Sequence, residues 1–194
     1  MKPGRSSAYI ACVFFLIGFV LLFTVSCAKD PLDPKNFDPK EVPNYNVVAR
    51  GRVYRSGQFT PLGLSALSEK GLKTVINLRT TAADPDWIPE KLKANYHHIP
   101  IPDHFPPTED QMKEILDIVR SPGSWPILVH CRAGSGRTGT VVAVIRYSVE
   151  GWDMKLAIQE ARNYKGGNML NDEDVKFLRN WSDTHKPGEW KWLK

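Results

Sequence analysis

The chain has 194 residues, 42% of them hydrophobic and 10% aromatic, the composition of one globular domain carrying an added segment. Its formal net charge is +5, or +3 once Lys2 and Arg5 are set aside. No concentrated basic run accompanies that mild excess, which argues against nucleic acid as a partner.

The added segment is at the front. Residues 6–28 carry no charge, a run of 23 positions preceded by Lys2 and Arg5. A basic start and an apolar middle are the pattern of a secretory signal, and the run is nearly long enough to span a bilayer. It ends in Phe23-Thr24-Val25-Ser26-Cys27, which resembles the processing site of bacterial lipoproteins, where a cysteine is lipidated and becomes the new N-terminus. Thr24 stands where that pattern usually carries leucine, and an uncleaved membrane anchor is the alternative. Either way, residues 1–27 would tether the protein to a membrane and place the rest outside the cytoplasm, in a bacterial periplasm or at the cell surface. Processing at Cys27 would remove Cys12 and leave Cys131 as the only free thiol. Exported proteins usually pair their cysteines, so a lone downstream cysteine calls for a chemical role.

Residues 28–44 contain Pro31, Pro34, Pro39 and Pro43, which oppose helix and strand; an extended spacer is expected there, ahead of a folded domain over 45–194. Within that domain, short β-branched runs alternate with helical patterns. The pattern predicts an α/β fold with a mainly parallel central sheet flanked by helices. Strands are expected at 52–55, 74–78, 96–101 and 127–130. Thr60-Pro61 is an N-cap followed by proline at the first helical position, and Gly71 closes that helix. Thr108 and Gln111 form a capping-box pattern for a helix through Met112, Ile115, Leu116 and Val119. Further helices are expected at 138–150, 153–164 and 171–184, and no internal repeat is present.

The chemistry is concentrated between the strand 127–130 and the helix from Thr138, in Cys131-Arg132-Ala133-Gly134-Ser135-Gly136-Arg137. Gly134 and Gly136 accept positive φ and carry no side chain, so successive N–H groups can turn around one anion. The loop opens a helix whose first N–H groups lack intrahelical partners, which favours a phosphoryl group there. Arg137 adds a planar fork for two phosphoryl oxygens. The same positive field favours the thiolate of Cys131, the nucleophilic form. Thr138 is placed to donate its hydroxyl to that sulfur, and His130 to bond loop carbonyls from behind.

The run His130-Cys131-Arg132-Ala133-Gly134-Ser135-Gly136-Arg137-Thr138-Gly139 resembles the signature of the protein tyrosine and dual-specificity phosphatases. Tyr54-Arg55-Ser56-Gly57-Gln58 and Val75-Ile76-Asn77-Leu78-Arg79 resemble stretches of small bacterial and dual-specificity members. The resemblance implies a phosphatase with a phosphocysteine intermediate on Cys131 and a substrate cradle over residues 132–137. His97 and His98, adjacent on a strand, point to opposite faces, and with no paired cysteines no metal or other cofactor is expected. The resemblance also implies an aspartate on an upstream loop, acting first as acid and then as base. Asp103, in a proline-rich turn 28 positions before Cys131, is the candidate, with Asp84 and Asp86 as alternatives. A phosphorylated protein carrying phosphotyrosine is the first expectation for substrate. Inositol polyphosphates are the second, although Ser135 stands where a lysine would favour them. A sulfurtransferase and a non-catalytic phosphate-binding module are the readings from other classes.

Overall fold

The structure, a computed structural model, describes residues 29–81, 87–164 and 170–194. The N-terminal apolar segment, Cys27, Asp84 and Asp86 lie outside the described residues. Among the described residues, no helix is long and apolar enough to cross a membrane.

Five strands form one sheet: β1 (Asn46–Ala49), β2 (Val53–Ser56), β3 (Thr74–Asn77), β4 (Tyr96–His98) and β5 (Ile127–His130), in the order β1-β2-β5-β3-β4. Strands β2, β5, β3 and β4 run parallel, and β1 is antiparallel at the β2 edge. The sheet is therefore mainly parallel, as expected, with β1 added. Strand β4 ends at His98, short of the expected residue 101: β3 itself stops at Asn77, and beyond it the Ile99 and Ile101 amides donate singly to the Asn77 and Leu78 carbonyls without a continued strand pair.

The side-chain period of two divides the core. Val53, Ile76, Ile127 and Val129 point to one face, while Tyr54, Val75 and Leu128 point to the other. On the first face lie helices α3 (Glu109–Arg120), α4 (Gly136–Ser148), α5 (Met154–Asn163) and α6 (Asp172–Thr184). On the second lie α1 (Pro61–Glu69) and the single turn α2 (Glu90–Lys93). Helix α4 is buried on nearly every side, between the sheet and the α5–α6 pair, as its unbroken Val141–Ile145 apolar run requires. Thr60 caps α1 through the Gly63 amide, and Thr108 and Gln111 complete the expected capping box of α3. Asp153 caps α5, and Asn171 with Asp174 forms a second capping box at α6.

The expected spacer is corrected for residues 29–44. Apart from a 3-10 turn at Pro34–Asn36 the stretch has no helix or strand, but Leu32 and Val42, each 1% exposed, are buried against the second face and Phe37 is half-buried beside them. The Tyr45 hydroxyl donates to the Leu32 carbonyl at 3.0 Å, and Tyr54 donates to the Asp30 carboxylate at 2.7 Å. The Thr60 N–H donates to the Glu41 carbonyl, and the Thr60 hydroxyl donates to the Glu41 carboxylate. The segment is a strap running from the β1–β2 turn, where Arg50 pairs with Asp30, up to the carboxyl end of the sheet. The folded unit starts well before residue 45.

Candidate active site

The parallel register places Ser56, Asn77 and His130 side by side at the carboxyl edge of the sheet. The chain leaves β5 into the 131–135 loop and returns at once as α4, so Cys131 sits where the strand edge meets a helix N-terminus. Carboxyl edges of parallel strands are where α/β folds bind ligands. Gly134 carries φ of +77°, and a Cβ there would lie 2.5 Å from the Gly57 nitrogen. Only glycine allows the loop to turn that closely over β2. Gly136 was expected to take positive φ as well, but it begins the α4 helix instead.

Cys131 is 2% exposed, and its Sγ accepts a hydrogen bond from the Gly134 amide at 3.2 Å. Arg137 is 7% exposed and held in place by the sheet: one guanidinium nitrogen donates to the Ile101 carbonyl at 3.1 Å and reaches the Leu78 carbonyl at 3.5 Å. Its other terminal nitrogen pairs with the Asp103 carboxylate at 3.2 Å. Cys131, Arg132, Ala133, Ser135 and Gly136 share a cavity of about 140 Å³ with Arg137 and Asp103. The structure thus joins the candidate nucleophile, fork and acid in one recess.

Asp103 reaches that recess from a turn pinned at both ends. The Phe105 amide donates to the Pro102 carbonyl at 3.2 Å, and His104 takes a left-handed φ of +68°. The Asn171 side chain, at the α6 N-terminus, donates to the His104 carbonyl at 2.8 Å. Asp174 also lines the cavity and accepts from the Thr140 hydroxyl at 3.0 Å, tying α6 to α4. Burial raises the Asp174 carboxyl above its ordinary value, against the opposing pull of the Asn171 and Thr140 bonds.

Two expectations are corrected. The Thr138 hydroxyl does not bond the Cys131 sulfur; it is buried without a hydrogen-bond partner among the described residues, and the bond the sulfur accepts comes from the Gly134 amide. Neither ring nitrogen of His130 makes a well-formed hydrogen bond, and of the loop only the Cys131 backbone acts on the ring. The ring packs on Phe59 at 4.5 Å between centroids, and full burial pushes its pKa down to about 3, with only a smaller upward pull from the Cys131 backbone. His130 is a neutral packing residue beneath the loop.

Sequence reasoning missed Asn44, Arg55, Gln58, Asn171 and Asp174. Arg55 and Gln58 stood inside the Tyr54–Gln58 stretch that resembles family members, a signal that could have marked them. Asn171 and Asp174 fell in the expected helix 171–184, and Asn44 in the expected spacer.

Known proteins resemble this chain in sequence and in fold. The family model described as a DSP-PTPase phosphatase fused to NAD+ kinase matches residues 37–179. The chain belongs to the DSP-PTPase family of phosphatases. OCA1 of Mycosarcoma maydis, provisionally named a tyrosine-protein phosphatase, is 32% identical over 145 residues, covering 70% of this chain and 90% of OCA1. The tyrosine-protein phosphatase-like protein OCA2 of Saccharomyces cerevisiae is 30% identical over 153 residues, covering 76% and 74%. Among solved structures, the active form of Tk-PTP superposes with a TM-score of 0.59 at 25% identity, covering 74% of this chain and 99% of that one. TpbA of Pseudomonas aeruginosa superposes with a TM-score of 0.61 at 22% identity, a likeness of fold, covering 74% and 87%. Membership of this family makes the chain a phosphatase rather than a sulfurtransferase, and the strap belongs to the matched region from residue 37 onward.

Proposed function

We propose that this phosphatase hydrolyses phosphotyrosine in proteins through a phosphocysteine on Cys131. The observation that carries the reading is the shared recess: the sulfur, the Arg137 fork and the Asp103 carboxylate converge on one cavity at a helix N-terminus. In the first step the Cys131 thiolate attacks phosphorus, an S–P bond forms and the ester P–O bond breaks. Asp103 gives its proton to the departing oxygen, while loop amides and Arg137 hold the equatorial oxygens. In the second step Asp103 takes a proton from water, whose oxygen attacks phosphorus. Phosphate leaves, and the thiolate is restored. The Asp103–Arg137 pair describes the site before phosphate arrives: the substrate takes over the arginine and the carboxylate turns to the ester oxygen.

Substrate class is argued from the rim. Phe105, 61% exposed, stands beside the acid at the cavity mouth, an apolar ring where an aryl leaving group would lie. TpbA has been crystallised with phosphotyrosine, which fits the same reading. The PP-IP phosphatase Siw14 of Saccharomyces cerevisiae shares the fold at 24% identity and a TM-score of 0.59, which keeps inositol phosphates as the second reading. A panel of a phosphotyrosine peptide, a phosphoserine peptide and inositol polyphosphates tests it. The highest kcat/KM is expected for the phosphotyrosine peptide; an inositol phosphate preferred by tenfold or more would replace this reading with the second.

The N-terminal segment is proposed to tether the domain outside the cytoplasm through a lipid on Cys27. Its support is the uncharged run 6–28 ending in Ser26-Cys27. Fatty-acid labelling lost in Cys27→Ala is the expected result; an unlabelled wild-type chain that keeps residues 1–26 would make the segment an uncleaved anchor.

A further inference from the structure

The amides of the 131–135 loop face an anion only if its carbonyls face away, and three of those carbonyls, of Arg132, Ala133 and Gly134, each have a donor from outside the loop. The Arg132 carbonyl accepts from the Gln58 amide at 3.0 Å. The Ala133 carbonyl accepts from the Asn44 side chain at 2.8 Å. The Gly134 carbonyl accepts from an Arg55 guanidinium nitrogen at 2.9 Å. A peptide unit is planar and trans, so fixing a carbonyl fixes the N–H of the next residue in the opposite direction. Gln58 thereby aims the Ala133 N–H, Asn44 the Gly134 N–H and Arg55 the Ser135 N–H. The Gly134 N–H is the one that bonds the Cys131 sulfur.

Asn44 and Arg55 are themselves joined. The Asn44 carbonyl accepts from the Tyr164 hydroxyl at 2.7 Å, and the Tyr164 ring lies 3.6 Å from the Arg55 guanidinium carbon. Asn44 holds a left-handed φ of +53°, so the strap bends at this residue to bring its amide under the loop. Arg55 is 1% exposed, and its carboxylate partner, Glu160, stands at 3.9 Å, beyond hydrogen-bond reach. A buried cation so loosely paired is costly unless something else uses it. The loop above it, which receives a thiolate and a phosphoryl group, is that use.

We infer that Asn44 and Arg55 are positioning residues of the phosphate cradle, aiming its Gly134 and Ser135 amides from behind, with Tyr164 locking the pair together. The inference rests on the reading of residues 131–137 as that cradle. It makes the N-terminal strap part of the catalytic apparatus, although it touches neither substrate nor nucleophile.

The test compares Asn44→Gly, Arg55→Met, Arg55→Lys and Tyr164→Phe in the full chain. Asn44→Gly keeps the left-handed backbone and deletes only the donor. Three quantities are read for each: melting temperature, the affinity for inorganic phosphate by calorimetry, and kcat per active site counted from the burst with an activated aryl phosphate. For Asn44→Gly the melting temperature should stay within a few degrees, while phosphate affinity and kcat per site fall about three- to tenfold, the worth of one neutral hydrogen bond. Arg55→Met should lose more than tenfold in both, with Arg55→Lys recovering part of the loss and Tyr164→Phe closest to wild type. Variants that melt earlier, yet whose folded fraction binds phosphate and turns over like wild type, would reduce the network to ordinary packing and overturn the inference. Wild-type protein that binds phosphate without turnover would sink the phosphatase mechanism while calorimetry still judged the brace. Wild-type protein that binds no phosphate would overturn both.

Discussion

Replacing Gly134 by alanine tests the geometry of the loop at its tightest point. The backbone there sits at φ of +77°, which an L-residue adopts at a cost of about 1–2 kcal/mol. The new methyl would also meet the Gly57 nitrogen and the Ser56 carbonyl carbon at 2.5 Å and the Ser56 oxygen at 2.6 Å. These are backbone atoms at the end of a central strand and cannot swing aside, so the loop must lift, adding an overpacking cost of about 1–3 kcal/mol. The sum, about 2–5 kcal/mol, corresponds to a melting temperature lower by about 4–20 °C for a domain of this size. Lifting also pulls the Gly134 amide off the Cys131 sulfur and its carbonyl off Arg55, so kcat should fall by about 10²–10³, the worth of a preorganised anion donor. Gly51→Ala is the internal control: Gly51 has φ of +73° and nothing within 4 Å of the added methyl. It should show the conformational cost alone, with unchanged kcat/KM. Thermal melts and steady-state kinetics on an aryl phosphate suffice. If Gly134→Ala melts and turns over like Gly51→Ala, the close approach of the loop to β2 is not what shapes the cradle.

Asp103→Asn should lower turnover of phenyl phosphate by about 10²–10⁴, as general acid catalysis predicts, but cleavage of an activated aryl ester much less; equal small losses on both would leave Asp103 a turn residue. A chain beginning at residue 45 loses the burial of Leu32 and Val42, worth about 3–6 kcal/mol together, and should melt well below a chain beginning at residue 29. Identical melts would return the strap to the status of a spacer. The imidazole of His130, pushed down to about 3, lies below the value of about 6.5 expected in the unfolded chain. A depressed value means that its stabilisation is whole above about pH 6.5 and is lost as pH falls toward 3, by up to about 5 kcal/mol. His130→Asn should therefore flatten the acid limb of melting temperature against pH; an unchanged slope would assign that limb to other groups.

What the sequence made legible was local. The helix starts at Thr60-Pro61, Thr108 and Asn171 are set by side chains bonding amides two or three residues on, so they could be read without knowing the fold. The strand, glycine-bearing loop and helix around Cys131 are contiguous, and their chemistry is carried by residue type. Strand β1 was missed because Asn46–Ala49 is an edge with one exposed and two half-buried residues, too short for a periodic signal. The strap was misread because its prolines are frequent and its anchors, Leu32 and Val42, are isolated; only the apolar face of β2 and α1 gives them a place to go. Asn44 and Arg55 lie 89 and 79 residues from the carbonyls they hold, and nothing in local pattern links positions so far apart. Thr138 and His130 were assigned contacts from adjacency in sequence, whereas the loop turns so that the Gly134 amide takes the sulfur and Phe59 takes the imidazole.

The central claim is that Cys131 carries the phosphoryl group between substrate and water. Mixing the Asp103→Asn protein with an activated aryl phosphate should trap it, because cleavage proceeds while the base for hydrolysis is missing. Denaturing the mixture within the burst and mapping the phosphate by mass spectrometry should place it on the peptide containing Cys131, at close to one per chain, and Cys131→Ser should show neither phosphate nor turnover. Full turnover with Cys131 unmodified at every time point, or substantial turnover by Cys131→Ser, would contradict the covalent mechanism.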